Sequence, residues 1–461
     1  MGFNFLQFLT EKYALDDCDY LVQAKTIDAD PHEILTAFLC LDTYYNKYLS
    51  NSQSQSGNKL SQSGNELLET IKNIITDIGN CTEIIAGNDF KNLFSNLHDE
   101  LDKNKLSDKN IEFYQNIKDA LPQAASAAIA IKSNFAKPIS KVYLTGSSWP
   151  TEVPDFTVSK HGMKDYNSSD IIVTDGRRYL GVSLKKKDKE TDPDPTIINK
   201  SLFNLKVNEI PLKDISGKDE TKLKDMFDTW FADQIISASK YFTPEFIKVN
   251  CTKDAKNKNA LLKFFNKETL AKVNKDILSK FNHKKLTNAG KTYFRNLINR
   301  ELSGVNSIFN KLKKFLEDNH KLTDDLANQL VDLIFKPDLI KLLNDTNPDL
   351  PKFDFALCTG KGKTSKPNND NLISFKIDEA DYYPITTISN VITSLKDNSN
   401  KATFIICNKD KTSNAAKIFL NLKIGEIVVA NLEIRYKGTY SPSPQFLGNI
   451  SDEFKKLLKV K

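Results

Sequence analysis

The 461-residue sequence predicts a mixed α/β protein with a helical N-terminal region, an α/β core and a large helical insertion. Three observations predict it. Apolar residues recur at helical spacing up to about residue 135, short strand-like runs follow Lys137-Pro138, and helical spacing returns from roughly 219 to 345 before strands resume. The length exceeds one compact core. The chain therefore divides into a helical region (1–122), a first part of the core (123–215), a basic helical insertion (216–349) and a β-rich remainder of the core (350–461), the alternative for the last being a separate β-rich domain.

In chain order, PHEILTAFLCLDTYYNKYL and ELLETIKNIITDIGN carry the helical period, with Pro31 near a helix start. Between them SQSGNKLSQSGNEL holds a seven-residue unit twice (54–60 and 61–67), and its Ser, Gln, Gly and Asn content predicts a flexible loop. QAASAAIAIKSNF (123–135) is a small-residue helix suited to lying close against a sheet. KVYLTG (141–146), SSDIIVT and RRYLGVSLK read as three strands, KDKETDPDPT as a loop, and TIINKSLFNLK (196–206) as a second helix. DETKLKDMFDTWFADQIISASKYF and LANQLVDLIFKPDLIKLL are helical, and strands resume at FDFALCTG (353–360), NLISFKI (371–377), ATFIICN (402–408) and EIVVANLEIRYKG (426–438).

Composition bounds the function. Hydrophobic residues make up 39% and charged residues 27%, which excludes global disorder, and no apolar run reaches the roughly 18 to 20 residues of a membrane span. The opening MGFNFLQFLTEKYALDDCDY has no basic start or long apolar stretch, so no secretory signal is expected, and Leu6 counts against myristoylation at Gly2. Cys18, Cys40, Cys81, Cys251, Cys358 and Cys407 are scattered singly, with no CxxC pair or Cys/His cluster. A zinc site is not expected, a reducing cytoplasmic location is, and any metal should have oxygen ligands. The net charge of +6 is unevenly spread: residues 248–300 hold 14 Lys and Arg against three acids, interleaved with aromatics as in LLKFFNKETLAK and KTYFRNLINR. Such a segment is either a surface for nucleic acid or an amphipathic helical region with solvated lysines. No Ser-His-Asp order, dinucleotide glycine fingerprint or paired glycosidase carboxylates stand out, and His161 and His283 are isolated.

The segment with the most chemistry is SSDIIVTDGRRYLGVSLKKK (168–187). Asp175-Gly176 is a hairpin signal between two apolar runs. A two-residue loop sets Thr174 against Arg177 and Asp170 against Gly181, which leaves space beside the carboxylate. Side chains alternate along strands, so Asp170, Ser183 and Lys185 then project from one face. A hard cation such as Mg²⁺ takes one or two carboxylates with water and substrate phosphate. Asp170 is the candidate ligand, with the Leu184 backbone carbonyl as a second oxygen. Lys185 is placed to orient or deprotonate water and offset charge on phosphorus. The bland alternatives are a turn aspartate and a solvated lysine run.

These residues resemble the PD-(D/E)XK nuclease superfamily, whose fold is restriction-endonuclease-like: an acid opens one strand and an acid-x-lysine tripeptide lies on the next. The resemblance matches Asp170 to the first acid and Lys185 to the lysine, while Ser183 stands where Glu or Asp is usual. GVSLKKK, with serine before x-Lys, is similar to segments in uncharacterised phage-encoded members. A helix leading into three strands matches the αβββα opening of that core. The resemblance implies divalent-metal-dependent (Mg²⁺ or Mn²⁺) cleavage of DNA, in the host cytoplasm or virion. Ser183 leaves open two alternatives: a nuclease with a relocated acid, or a catalytically inactive DNA-binding or phage virion structural protein. A helical interaction protein without nucleic acid is a third reading.

Candidates for the missing acid are Glu190, Asp192 and Asp194 in the loop, with Asp155 of Pro154-Asp155 as a second-choice ligand. Candidate phosphate contacts are Lys186, Lys187, Lys284, Lys285, Arg295, Arg435 and Lys437. TGKGKTS (359–365) superficially resembles a phosphate-binding loop, but Leu357 stands where the first Walker A glycine belongs. Its Lys361, Lys363 and Lys366 are expected to solvate a turn, the alternative being contact with a DNA backbone.

Overall fold

A computed structural model describes residues 30–49, 59–86, 88–103, 107–145, 150, 151, 153, 169–187, 197–217, 220–239, 243, 245, 308–344, 352–365, 372–397, 401–407, 417–435 and 443–459. The first half comprises α1 (Pro31–Cys40), α2 (Asp42–Tyr48), β1 (Lys59–Ser63), α3 (Gly64–Asn80), β2 (Ile84–Ile85), α4 (Asn88–Asp102), α5 (Asp108–Lys132), β3 (Lys141–Leu144), β4 (Ile171–Thr174), β5 (Arg178–Lys187), β6 (Ile198–Ser201), β7 (Lys206–Val207), β8 (Ile210–Pro211) and α6 (Leu223–Ser239). The second comprises α7 (Ile308–Asp318), α8 (His320–Phe335), α9 (Pro337–Asn344), β9 (Lys352–Thr364), β10 (Leu372–Pro384), α10 (Ile385–Asp397), β11 (Ala402–Cys407), β12 (Lys417–Ile424), β13 (Ile427–Arg435), β14 (Gln445–Ile450) and α11 (Asp452–Lys459). The protein is a mixed α/β structure.

Its centre is a seven-stranded mixed sheet in the order β1-β10-β9-β5-β4-β3-β2. Strands β3, β4 and β5 form an antiparallel meander, and β9 then joins β5 in parallel. Both faces are covered, which explains why DIIV and RYLGV read as continuous apolar runs. Ile171, Val173, Leu180, Val182 and Leu184 pack in one core with the N-terminal helices. Ile172, Tyr179, Phe353 and Phe355 lie in the other, with the later helices and a second sheet. Fully burying each such side chain stabilises the fold by about 1.5–3 kcal/mol.

Helix α1 starts where its sequence says it should. Asp30 accepts from the His32 N–H at 2.9 Å, Glu33 accepts from the Asp30 N–H at 3.1 Å, and Pro31 occupies the first turn. The remaining residues of α1 are buried almost all round, against α5. The small-residue half of α5 lies directly on β9 and β10. There the Ser126 hydroxyl donates to the Asp378 carbonyl at 2.7 Å and accepts from the Lys361 N–H at 3.0 Å. Gly360 permits this approach, because a Cβ there would overlap the Gln123 carbonyl.

Several expectations change. The glycine-lysine run 359–364 is strand β9 packed under α5, and it does not form a turn. The repeat segment contributes β1, whose Lys59–Ser63 pairs antiparallel with β10, so that part is no free loop. Residues 198–201 of the expected second helix form β6, capped by a 3₁₀ turn in which Ser201 accepts from the Phe203 N–H. The long-range ladder to β14 overrides the weak helical period of INKS. Within the N-terminal helical region, β1 and β2 sit on the two edges of the large sheet. Of the C-terminal strands, β9 and β10 complete that sheet, while β11, β12, β13 and β14 form a second, antiparallel sheet closed by β6. Phe335 of α8 meets Phe454 of α11 edge-on against it, centroids 5.5 Å apart.

Candidate functional site

The β4–β5 hairpin carries the site, with a register that differs by two residues from the one expected. Thr174 pairs with Tyr179, the second residue of β5, so residues 175–177 connect the strands and Arg178 has its ladder partner on β9. The Asp175 side chain accepts from the N–H groups of Arg177 at 2.9 Å and Arg178 at 3.1 Å, which favours the wider loop. A slip of two preserves which face each side chain occupies. Asp170 therefore stays on the side of Ser183 and Lys185, and Gly181 moves opposite Ile172. The space at Gly181 is filled by the Ser169 hydroxyl and the Phe353 ring and does not adjoin Asp170.

Asp170 sits just before β4, held from both sides. The Thr145 hydroxyl at the end of β3 donates to the Ser169 and Asp170 carbonyls at 2.5 and 3.0 Å. The Asp170 carboxylate accepts from the Leu184 N–H at 2.6 Å, and the Ser183 hydroxyl lies 3.4 Å from the same Oδ2, a long contact. Lys185 Nζ is 3.6 Å from Oδ2 and donates to the Leu184 carbonyl at 2.8 Å. Their side chains are 40% (Lys185) and 24% (Asp170) exposed, so solvent reaches the pair. Asp170, Ser183, Leu184 and Lys185 are thus in one place. Burial pushes the Asp170 carboxyl above its ordinary range, and Lys185 and the Leu184 N–H pull it back.

The structure adds a residue that the sequence reading did not single out. Glu33, in the first turn of α1, is pushed up to about 7, first by burial and then by the negative charge of Asp170. Its N-terminal position gives a signal only for capping, through Asp30-Pro31-His32-Glu33. The neighbouring His32 ring is buried, and burial lowers it to about 4, so it is neutral at pH 7. Lys186 reaches back to Asp30 at 3.4 Å, a half-exposed pair worth little by itself.

The groups in contact are therefore one carboxylate, a backbone carbonyl, a hydroxyl and an ammonium, with the Glu33 carboxyl near enough to feel the charge of Asp170. The oxygens of Asp170, Glu33 and Leu184 match a hard divalent cation in type, whereas Lys185 at present satisfies the Leu184 carbonyl. Among the described residues no group of three or more His, Cys, Asp or Glu side chains is placed to hold a metal.

The expected phosphate contacts are distributed unequally. Lys186 and Lys187 end β5 beside the site. Arg435 lies on β13 of the second sheet, engaged by Glu433 at 3.0 Å, and does not share the sheet of Asp170. Lys284, Lys285, Arg295, Lys366 and Lys437 lie outside the described residues, as do Asp155, Glu190, Asp192 and Asp194. Among the described residues no helix is long and apolar enough to cross a membrane. Comparisons with protein-family models, with curated proteins and with solved structures found no match to this chain.

Proposed function

We propose that this site hydrolyses phosphodiester bonds of DNA with the help of Mg²⁺ or Mn²⁺, on a restriction-endonuclease-like core. The observation that carries the reading is that two partly buried carboxyls, Glu33 and Asp170, feel each other's charge beside Lys185. Two acids pushed above the carboxylate range by burial, one of them also by the other's charge, form a site that a divalent cation relieves. A helix leading into a three-stranded meander, with β9 later joining β5 in parallel, supports the same core, although β6, β7 and β8 stand where its second helix was expected.

In this account Glu33 supplies the acid absent at Ser183, and Asp170, Glu33 and the Leu184 carbonyl would hold the ion. When bound, the ion supplies a Lewis acid that neutralises phosphate charge. Lys185, released from the Leu184 carbonyl, faces the scissile phosphate and offsets the charge that develops on its oxygens. The Ser183 hydroxyl orients the attacking water. Water oxygen bonds to phosphorus as the bond to the leaving deoxyribose oxygen breaks; the water's proton passes to solvent, and the leaving oxygen takes a proton from solvent water.

A second reading has a specific observation in its favour. Ser183 in place of an acid, 3.4 Å from Asp170, fits a nuclease-fold protein that binds DNA without cutting it, including a phage virion protein. Incubating the protein with circular and linear DNA, with and without Mg²⁺ or Mn²⁺, separates the two. Metal-dependent cutting that disappears in Asp170→Asn and Lys185→Ala supports the nuclease. Salt-sensitive binding without cutting under any of these metals leaves the binding protein.

A further inference from the structure

Strand β11 leaves one edge of the second sheet open. Its sequence, ATFIIC, holds no charge, proline or glycine, and among the described residues it pairs with β12 alone. The other sheet edges are guarded in ways that β11 is not: β6 has 4 residues and carries Lys200, β1 begins with Lys59, and β2 has only 2 residues. Short strands and lysines are the usual protection of an edge against pairing with another chain.

The ladder shows which backbone groups of β11 face outward. The Asn328 side chain of α8 accepts from the Ala402 N–H at 3.3 Å and donates to the Ala402 carbonyl at 3.5 Å, so Ala402 turns both groups away from β12. Hydrogen-bonded and non-hydrogen-bonded pairs alternate along an antiparallel ladder. Phe404 and Ile406 therefore turn their N–H and C=O groups outward as well, and Asn328 serves neither. Their side chains lean on the core, whereas Ile405 lies on the opposite face and is 45% exposed. Among the described residues only Ile210 is a large hydrophobic residue as open to solvent.

We infer that β11 pairs antiparallel with β11 of a second copy of this chain, across a twofold axis at Ile405. Phe404 and the partner's Ile406 then exchange both backbone hydrogen bonds, and Ile405 faces the partner's Ile405 in a non-hydrogen-bonded pair with Cα atoms about 4.5 Å apart. The length of the strand fits this register. β11 ends at Cys407, which falls opposite the partner's Thr403, so each strand stops just short of the place beside Ala402 that Asn328 fills. An extended peptide of another sequence would satisfy the same edge, but nothing would make it end at Asn328 or set an apolar side chain over Ile405. Neither DNA nor metal enters the contact. A pairing this short buries less than the roughly 1,200 Å² of a standard interface, so the association is reversible.

The test is sedimentation equilibrium of the whole chain, in EDTA and without DNA, over a wide concentration range. Wild type should dimerise. Ile405→Lys and Ile405→Glu should each weaken the dimer by roughly tenfold or more, because like charges then meet on the axis, and an equimolar mixture of the two should regain it. Ile210→Lys, at the other exposed apolar side chain, should leave the dimer as it is. Melting curves of the Ile405 variants should match wild type, and Ile405→Cys gives a second readout that adds no charge. Cysteines on Cα atoms this close form a disulfide between copies on mild oxidation, identified by peptide mapping. Monomeric wild type at every concentration overturns the pairing and leaves the edge to a segment of the same chain or to another protein. A dimer that persists in both charged variants, a mixture that fails to regain it, or absence of the link through residue 405 also overturns it, since another surface then makes the contact.

Discussion

The carboxylate of Asp170 accepts a hydrogen bond from the backbone N–H of Leu184 at 2.6 Å, so the start of β4 is fastened to the strand that carries Lys185. This bond fixes where the carboxylate points and leaves its other oxygen for a further partner. Substituting Asp170 by Asn keeps an acceptor for the Leu184 N–H and removes the charge. The expected outcome is a loss of cleavage of at least about 100-fold with the fold retained. Comparing cutting rates and melting curves of Asp170→Asn and wild type checks it.

Glu33 should make stability depend on pH in a definite direction. Its carboxyl titrates at about 7 in the folded chain against 4.5 ordinarily, so the folded state holds the extra proton between those values. Stability contributed by the protonated form is complete below about 4.5 and is lost as pH rises through 7. Urea midpoints of wild type should therefore fall across this window more steeply than those of Glu33→Gln. Added Mg²⁺ should raise the wild-type midpoint at pH 7 and leave that of Glu33→Gln nearly unchanged.

Lys336 carries the opposite sign. It ends α8 in the left-handed conformation at φ 53°, its ammonium 3.9 Å from the centre of the Phe355 ring, and burial lowers its pKa to about 7. Between 7 and 10.5 the unfolded chain holds the proton that the folded chain has lost, so stability rises with pH. The slope cannot exceed about 1.4 kcal/mol per pH unit. Lys336→Met should flatten it in chemical denaturation from pH 7 to 10, since the backbone strain is the same in both.

Gly360 has no room for a methyl group, because a Cβ would overlap the Gln123 carbonyl and lie 3.2 Å from the Ala127 Cβ. Gly360→Ala should therefore lift α5 from β9 and destabilise by about 1–3 kcal/mol. Denaturant midpoints compared with those of an exposed control substitution check this.

Much of the site was legible in the sequence because of parity. Asp175-Gly176 between apolar runs announced the hairpin, and a register error of two still leaves Asp170, Ser183 and Lys185 on one face. The loop length was not legible, since it depends on the Asp175 carboxylate turning back to two N–H groups. Glu33 was readable only as a capping residue. Its approach to Asp170 is set by α1 packing on the sheet, a tertiary fact with no local signature. β6 was hidden for a related reason, because Ile198–Ser201 becomes a strand only through its distant partner β14. β12 was different. KIFLNLKI alternates apolar and polar residues, so the pattern of a half-buried strand is present in its sequence.

The most direct test of the central claim, that Glu33 and Asp170 jointly take a divalent cation, is calorimetric titration of Mn²⁺ into the protein at pH 6.5 in two buffers of different ionisation enthalpy. The account predicts one oxygen-ligand site whose binding releases protons from the raised carboxyls, and loss of that site in both Glu33→Gln and Asp170→Asn. Equal Mn²⁺ binding by all three proteins, or binding with no proton release, would contradict it.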